Sequence, residues 1–313
     1  MKKVLITAGD PAGIGPFITI TALKDLLSKK IDFKIIGTES ILGKIKGFSK
    51  IANKIELIEV KTKYSGRIKK GYPNRYSGQL ALQYLEVAVD FLKKEKGFSL
   101  VTAPVSKEAI KLIKPDFQGH TEYLAKKFKV KNFSMFMVGN KLRIVILTRH
   151  IPLRKVPEAL NYRDLYQNIN LLFINLKKLF KLKKVKIALC GLNPHAGINT
   201  FLEREEKLLV RVKKKFKNKN LELVGPYPAD TIFREALNNN FSAILALYHD
   251  QGMIPFKTLE FSQGVNLTLG LPFIRTSPAH GPAFDLVDKP NLINSQPMQK
   301  AVKLALSLSC NEA

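Results

Sequence analysis

The chain has 313 residues, 45% hydrophobic and 25% charged, the balance of a folded globular protein rather than a disordered one. Its two cysteines, Cys190 and Cys310, are too few for a disulfide framework or a thiolate zinc site, which fits a reducing compartment. The formal net charge of +27 is spread along amphipathic segments such as 177–184 and 207–219, with no finger, RNP or basic-zipper pattern; we expect solvated helix faces that attract anionic small molecules, and no nucleic acid partner.

The opening MKKVLITAGDP carries an apolar run too short for a secretory signal, which stops at Gly9-Asp10-Pro11. It reads as a first strand, Val4–Ala8, of a cytoplasmic protein. No apolar stretch approaches the roughly 18–20 residues that span a bilayer, so no membrane partner is expected. The loop Gly9–Pro16 is rich in glycine and leads into a helix at Phe17–Ser28. Position 18 is isoleucine and no Gly-Lys-Ser/Thr ending follows, so neither a Rossmann fingerprint nor a Walker loop is present.

Further strands are predicted at Phe33–Ile36, Ile55–Val60, Ser99–Ala103, Phe133–Val138, Leu142–Leu147, Val185–Cys190, Leu221–Val224, Ala243–Leu247 and Asn266–Leu269. Helices are predicted between them at Gly78–Glu95, Ser106–Ile113, Thr121–Lys127, Tyr162–Phe180, Glu203–Phe216 and Gln296–Leu308. This alternation predicts an α/β fold with α/β/α layers around a mostly parallel sheet. The pair at 133–138 and 142–147 is the expected exception, a hairpin turned by Gly139-Asn140. A domain boundary is placed near Phe117–Gly119.

None of the five histidines sits mid-helix. His150, His195 and His249 each come at or shortly after the end of a strand, each within two residues of Pro, Gly or Asp. Ligands of open α/β sheets bind beyond the carboxyl ends of strands. Three imidazoles delivered there suffice to hold a divalent cation and leave positions open for substrate. The bland alternative is that each ring only hydrogen-bonds its own loop; three together favour the shared site. His249 also belongs to Tyr248-His249-Asp250-Gln251-Gly252, where a buried-looking strand ends in clustered polar groups. Glu203, Glu205 and Glu206 fit the acidic first turn of a helix and are read as structural. Lys257, Asn266 and Arg275 are expected in loops and at strand ends, placed to meet a phosphate. The turn His280-Gly281-Pro282-Ala283-Phe284-Asp285 is a candidate approach to a cofactor.

The segments GDPAGIGP, TAPVSK, GHTEYLA, LTRHIPL, GLNPHAG, GPYPADT, YHDQGMIPFK and GVNLTLGLPFIRTSPAHG occur in this order between about residues 4 and 285. In this they closely resemble the PdxA family, the 4-hydroxythreonine-4-phosphate dehydrogenases of pyridoxal phosphate biosynthesis. The resemblance implies a two-domain isocitrate/isopropylmalate dehydrogenase-like fold, with residues 1–118 plus 287–313 in one α/β domain and 119–286 in the other. It implies a homodimer whose cleft is completed by the partner subunit. It implies His150, His195 and His249 as ligands of one zinc, magnesium or cobalt ion, and His120, Thr121, Lys257, Asn266 and Arg275 as substrate-binding residues. His280, Gly281 and Asp285 would lie against NAD or NADP, with Lys257 or Asp250 moving the proton. The expected reaction is oxidation of 4-phosphohydroxy-L-threonine to 2-amino-3-oxo-4-phosphooxybutanoate, which decarboxylates to 3-amino-2-oxopropyl phosphate. The alternative is a related dehydrogenase of D-threonate or D-erythronate 4-phosphate. The chain departs from the family pattern at Phe17, at Ile198–Leu202 and across Ala279–Lys289.

Overall fold

A computed structural model describes residues 1–28, 30–63, 67–197, 204–238 and 240–310. Its strands are β1 (Lys2–Thr7), β2 (Ile31–Gly37), β3 (Glu56–Glu59), β4 (Phe98–Thr102), β5 (Ser134–Val138), β6 (Arg143–Thr148), β7 (Val185–Cys190), β8 (Leu221–Tyr227), β9 (Ala243–Tyr248), β10 (Val265–Leu269) and β11 (Arg275–Pro278). The chain forms two compact units, Met1–Lys131 joined by the stretch from Leu271 onward, and Asn132–Gly270. The helix His120–Lys127 and strand β11 thus lie in the unit that holds the termini, whereas the divisions expected from the sequence fell at 118/119 and 286/287.

In the first unit the strands run parallel in the order β3-β2-β1-β4-β11. All five residues of β4 and the last four of β1 are buried, the continuous apolar character of strands covered on both faces. Helix Gln296–Ser309 packs on β1, β4 and β11, and the Thr276 hydroxyl donates to its Ala301 carbonyl at 2.9 Å. Helix Arg75–Lys94 packs on β1 and β2 behind a reciprocal cap made by Asn74 and Ser77. The loop after β1 turns at Gly9, where φ is +79° and a Cβ would stand 2.5 Å from the Pro104 carbonyl oxygen, so no other residue fits.

In the second unit the order is β10-β5-β6-β9-β7-β8. Strand β5 is antiparallel to β10 and β6, and the remaining pairs are parallel. The expected hairpin at Gly139-Asn140 is latched from outside. Glu260, 4% exposed, accepts the backbone N–H groups of Asn140, Lys141 and Leu142 at 3.0, 2.6 and 3.2 Å.

Two elements correct the sequence reading at functional positions. Arg275 stands at a strand end, but of a strand the sequence does not announce: it opens β11, whose residues Arg-Thr-Ser-Pro carry no apolar run yet are all buried. Lys257 is not in a loop or at a strand end. It sits in a helix, His249–Glu260, that begins directly at the end of β9. Gly252 and Pro255 lower the intrinsic helix preference of this stretch, and tertiary packing overrides them. A Cβ on Gly252 would meet Ala246 Cβ and Ile144 Cγ2 at 3.0 Å, so the glycine lets the helix lie against β6 and β9. Helix Ala229–Ala236, with three buried residues, was also not foreseen. The departure at Ile198–Leu202 and the acidic Glu203 lie outside the described residues.

Candidate active site

Strands β6, β9 and β7 are adjacent and parallel, so their carboxyl ends open onto one edge of the second unit. Each delivers one of the three histidines. His150 follows β6 by two residues, His249 follows β9 directly as the first residue of its helix, and His195 follows β7 by a short loop. Thr148 and Tyr248 are in register, which sets His150 beside His249; their ring centroids are 6.3 Å apart. Among the described residues no group of three or more His, Cys, Asp or Glu side chains is gathered closely enough to hold a metal ion. The three imidazoles are therefore placed on neighbouring strand ends without being drawn into one cluster.

What fixes these strand ends is a set of bonds that the sequence reading did not anticipate. Asp250 Oδ1 lies 2.6 Å from His249 Nδ1, which leaves Nε2 as the ring's other nitrogen for a ligand. Such a carboxylate contact is the usual way a ligating imidazole has its tautomer and orientation fixed. Gln251, 7% exposed, accepts the Leu247 N–H at 2.7 Å and donates to the Gly191 carbonyl at 2.7 Å, tying the end of β9 to the end of β7. Glu206, 6% exposed, accepts the backbone N–H groups of Leu192 and Asn193 at 3.0 Å each, and the Asn193 side-chain amide at 3.1 Å. It thereby grips the loop in which His195 and Ala196 adopt left-handed backbone angles, φ +55° and +53°. One sequence signal pointed to Glu206. It falls on the same helical face as Leu209 and Val212, so the spacing put a carboxylate at a core position.

Two proposed substrate residues also lie in this unit. Asn266 is half-buried in β10 with its Oδ1 enclosed and lacking a hydrogen-bond partner. Lys257 is exposed on the helix that starts at His249.

The other substrate candidates are in the first unit. His120 and Thr121 open the helix His120–Lys127 immediately after Gly119. Burial, reinforced by the nearby Arg275 and Lys107 charges, holds the His120 imidazole well below its ordinary pKa, so the ring is neutral at neutral pH. Its Nε2 is enclosed and has no hydrogen-bond partner. Arg275, 1% exposed, donates through Nη2 to the Thr102 hydroxyl at 2.6 Å. Burial pulls its guanidinium pKa down to about 10, opposed by the Glu122 carboxylate.

The turn proposed to meet the cofactor packs on the glycine-rich first loop. The Ile14 N–H donates to the Pro282 carbonyl at 2.9 Å, and a Cβ on Gly13 would meet Pro282 Cβ at 2.7 Å. His280 Nδ1 is 2.9 Å from the Gly281 carbonyl oxygen, its Nε2 is enclosed without a partner, and burial lowers its pKa. Nothing stands within 4 Å of a Cβ placed on Gly281, and Asp285 is exposed. In the first loop the Asp10 carboxyl is fully buried and receives the Ala12 N–H at 2.9 Å. Burial raises its pKa.

With this geometry in hand, comparison with known proteins decides the family. The profile described as pyridoxal phosphate biosynthetic protein PdxA matches residues 14–305. The chain belongs to the PdxA family. A 4-hydroxythreonine-4-phosphate dehydrogenase of Sulfurihydrogenibium sp. is 35% identical over 320 aligned positions, covering 98% of both chains. One from Aquifex aeolicus is 36% identical, covering 92% of both. The crystal structure of a 4-hydroxythreonine-4-phosphate dehydrogenase from Klebsiella pneumoniae superposes with a TM-score of 0.82 at 29% identity, covering 98% of each chain. An isocitrate dehydrogenase from Methylococcus capsulatus superposes at a TM-score of 0.53 with 14% identity and shares the fold alone. The family's two-domain, isocitrate dehydrogenase-like α/β architecture is thus the architecture of this chain.

Proposed function

We propose that this chain is a 4-hydroxythreonine-4-phosphate dehydrogenase, which oxidises the secondary alcohol of 4-phosphohydroxy-L-threonine in pyridoxal phosphate biosynthesis. The observation that carries the reading is end-to-end similarity to dehydrogenases of that name, 35% identity across 98% of both chains. A nicotinamide coenzyme, NAD or NADP, held by His280, Gly281 and Asp285 would accept the hydride from the alcohol carbon, while the hydroxyl proton is released to the protein. The resulting β-keto acid loses CO2, because its ketone accepts the electron pair left by the broken bond, and 3-amino-2-oxopropyl phosphate is formed.

The residue roles are those the family resemblance implies, and the chemistry of the side chains agrees with them. His150, His195 and His249 form an all-imidazole donor set on adjacent strand ends, and the Asp250 contact with His249 is what a ligating histidine requires. A divalent cation, zinc, magnesium or cobalt, bound there would polarise the alcohol oxygen. Lys257 or Asp250 relays the hydroxyl proton, and Asp250 also lies against His249. His120, Thr121, Lys257, Asn266 and Arg275 bind the substrate. The enclosed, partnerless His120 Nε2 and Asn266 Oδ1 are polar atoms that a ligand would satisfy. His280, Gly281 and Asp285 bind the nicotinamide coenzyme. A cytoplasmic homodimer completes the reading, and the exposed apolar Ile151, Leu153, Ile254 and Phe261 supply surface for a second copy.

The test is nicotinamide absorbance with purified protein and 4-phosphohydroxy-L-threonine, with D-erythronate 4-phosphate in parallel and with a chelator in a third arm. Coenzyme reduction and CO2 release with the first substrate, lost on chelation, are expected. No coenzyme reduction with that substrate would overturn the assignment.

A further inference from the structure

The first unit carries an anion-binding arrangement that includes one residue not yet given a role. Strand β4 ends at Thr102, and the chain continues to Ser106, whose hydroxyl accepts the Ala109 N–H at 3.0 Å and so holds the start of the next turn. Lys107 follows. A Cβ built on Gly119, the residue before His120, would lie 3.3 Å from Lys107 Cε, 3.6 Å from its Nζ and 3.2 Å from Glu122 Oε2. The lysine head group therefore lies beside Gly119. Thr102, at the end of the same strand, receives the buried Arg275 guanidinium. Arg275 and Lys107 are both near enough to His120 to disfavour its protonation.

We propose that Lys107 is a further substrate-binding residue, which with Arg275 and His120 seats the phosphate of the substrate. The inference rests on the dehydrogenase reading above. Glu122 lies near both cations, beside Lys107 at Gly119 and acting on Arg275, and the neutral His120 imidazole, near both cations too, presents an enclosed Nε2 without a partner. Burying a guanidinium and setting an ammonium beside it is costly unless an anion joins them. A phosphate dianion fits: it carries the compensating charge and offers acceptors to a guanidinium and an ammonium together. The rival is an ion pair between Lys107 and Glu122 that only staples the turn, and it predicts no effect on ligand constants beyond any change in stability.

Lys107→Ala, Lys107→Arg and the exposed-lysine control Lys111→Ala separate the two. Three constants are measured in each: KM for 4-phosphohydroxy-L-threonine, Ki for inorganic phosphate, and KM for the coenzyme. Loss of one charge-assisted contact predicts a rise of about ten-fold or more in the first two for Lys107→Ala. The coenzyme constant should stay within about two-fold, Lys107→Arg should recover most of the loss, and Lys111→Ala should behave as wild type. If alanine prevents folding, Lys107→Gln keeps the stem and removes the charge. Substrate and phosphate constants unchanged in a folded variant would overturn the proposal. Should wild-type protein reduce no coenzyme, the dehydrogenase reading fails, and calorimetric binding of inorganic phosphate by wild type against Lys107→Ala still decides the role of Lys107.

Discussion

Glu206 grips the His195 loop through two backbone amides, and removing it should loosen that loop before it harms the rest of the unit. A hydrogen bond to a charged acceptor contributes about 1.5–3 kcal/mol net, so two of them set an upper range of about 3–6 kcal/mol. Leu192 and Asn193 are only half-buried, and water can reach their N–H groups once the carboxylate is gone. Glu206→Ala should therefore cost about 3 kcal/mol, the lower end of that range. Glu206→Gln keeps one acceptor oxygen and loses the charge, and should cost about 1–1.5 kcal/mol. Urea unfolding midpoints at unchanged slope give both values. Amide hydrogen exchange supplies the local readout: protection of Leu192 and Asn193 should drop in the alanine variant while that of β9 is retained. Equal costs for the two variants, or an alanine cost below about 0.5 kcal/mol, would show that the carboxylate does not hold the loop.

Gln251→Ala removes the bond to Leu247 in β9 and the bond to Gly191 after β7, and should destabilise by about 2 kcal/mol while weakening divalent-cation binding in calorimetry; unchanged cation affinity would separate Gln251 from the histidine set. Glu260→Ala leaves three hairpin amides without their acceptor and should cost about 3 kcal/mol in denaturant unfolding, with no change in the KM for substrate. The depressed pKa of His120 gives a signed pH effect. The unfolded chain takes up a proton near its ordinary pKa of about 6.5 and the native chain only at lower pH, so stability falls as pH drops through that window, by up to about 1.4 kcal/mol per unit. Unfolding midpoints of wild type and His120→Gln against pH should differ in slope there, and parallel curves would contradict a neutral buried ring. Arg275→Lys should raise the substrate KM about ten-fold or more, because an ammonium cannot both reach Thr102 and present a fork to an anion.

The strand-end histidines were legible because the runs before them, such as Ala243–Tyr248, are apolar enough to be strands whatever follows. Strand β11 was hidden for the opposite reason. Its burial rests on polar side chains that find partners, Arg275 on Thr102 and Thr276 on Ala301, and no periodicity records a partner distant in sequence. The helix at His249 was concealed by Gly252 and Pro255, whose local penalties are outweighed by close packing on β6 and β9. The left-handed turn at His195 and Ala196 falls on two residues that are not glycine, and the adjoining Gly197, φ +66°, marks only its end. Glu206 shows how one rule can mask another: an acidic first turn is so ordinary that its fall on the buried helical face went unused.

The split of the first unit around the second has a consequence for biogenesis. Asn132–Gly270 is contiguous and emerges from the ribosome entire, free to collapse on its own pairings. The first unit must wait, since β4 gains its neighbour β11, and β1 its covering helix Gln296–Ser309, only from a stretch translated after the second unit. Until then an apolar flank of nascent polypeptide stays open, and chaperone demand should persist until that stretch has been made.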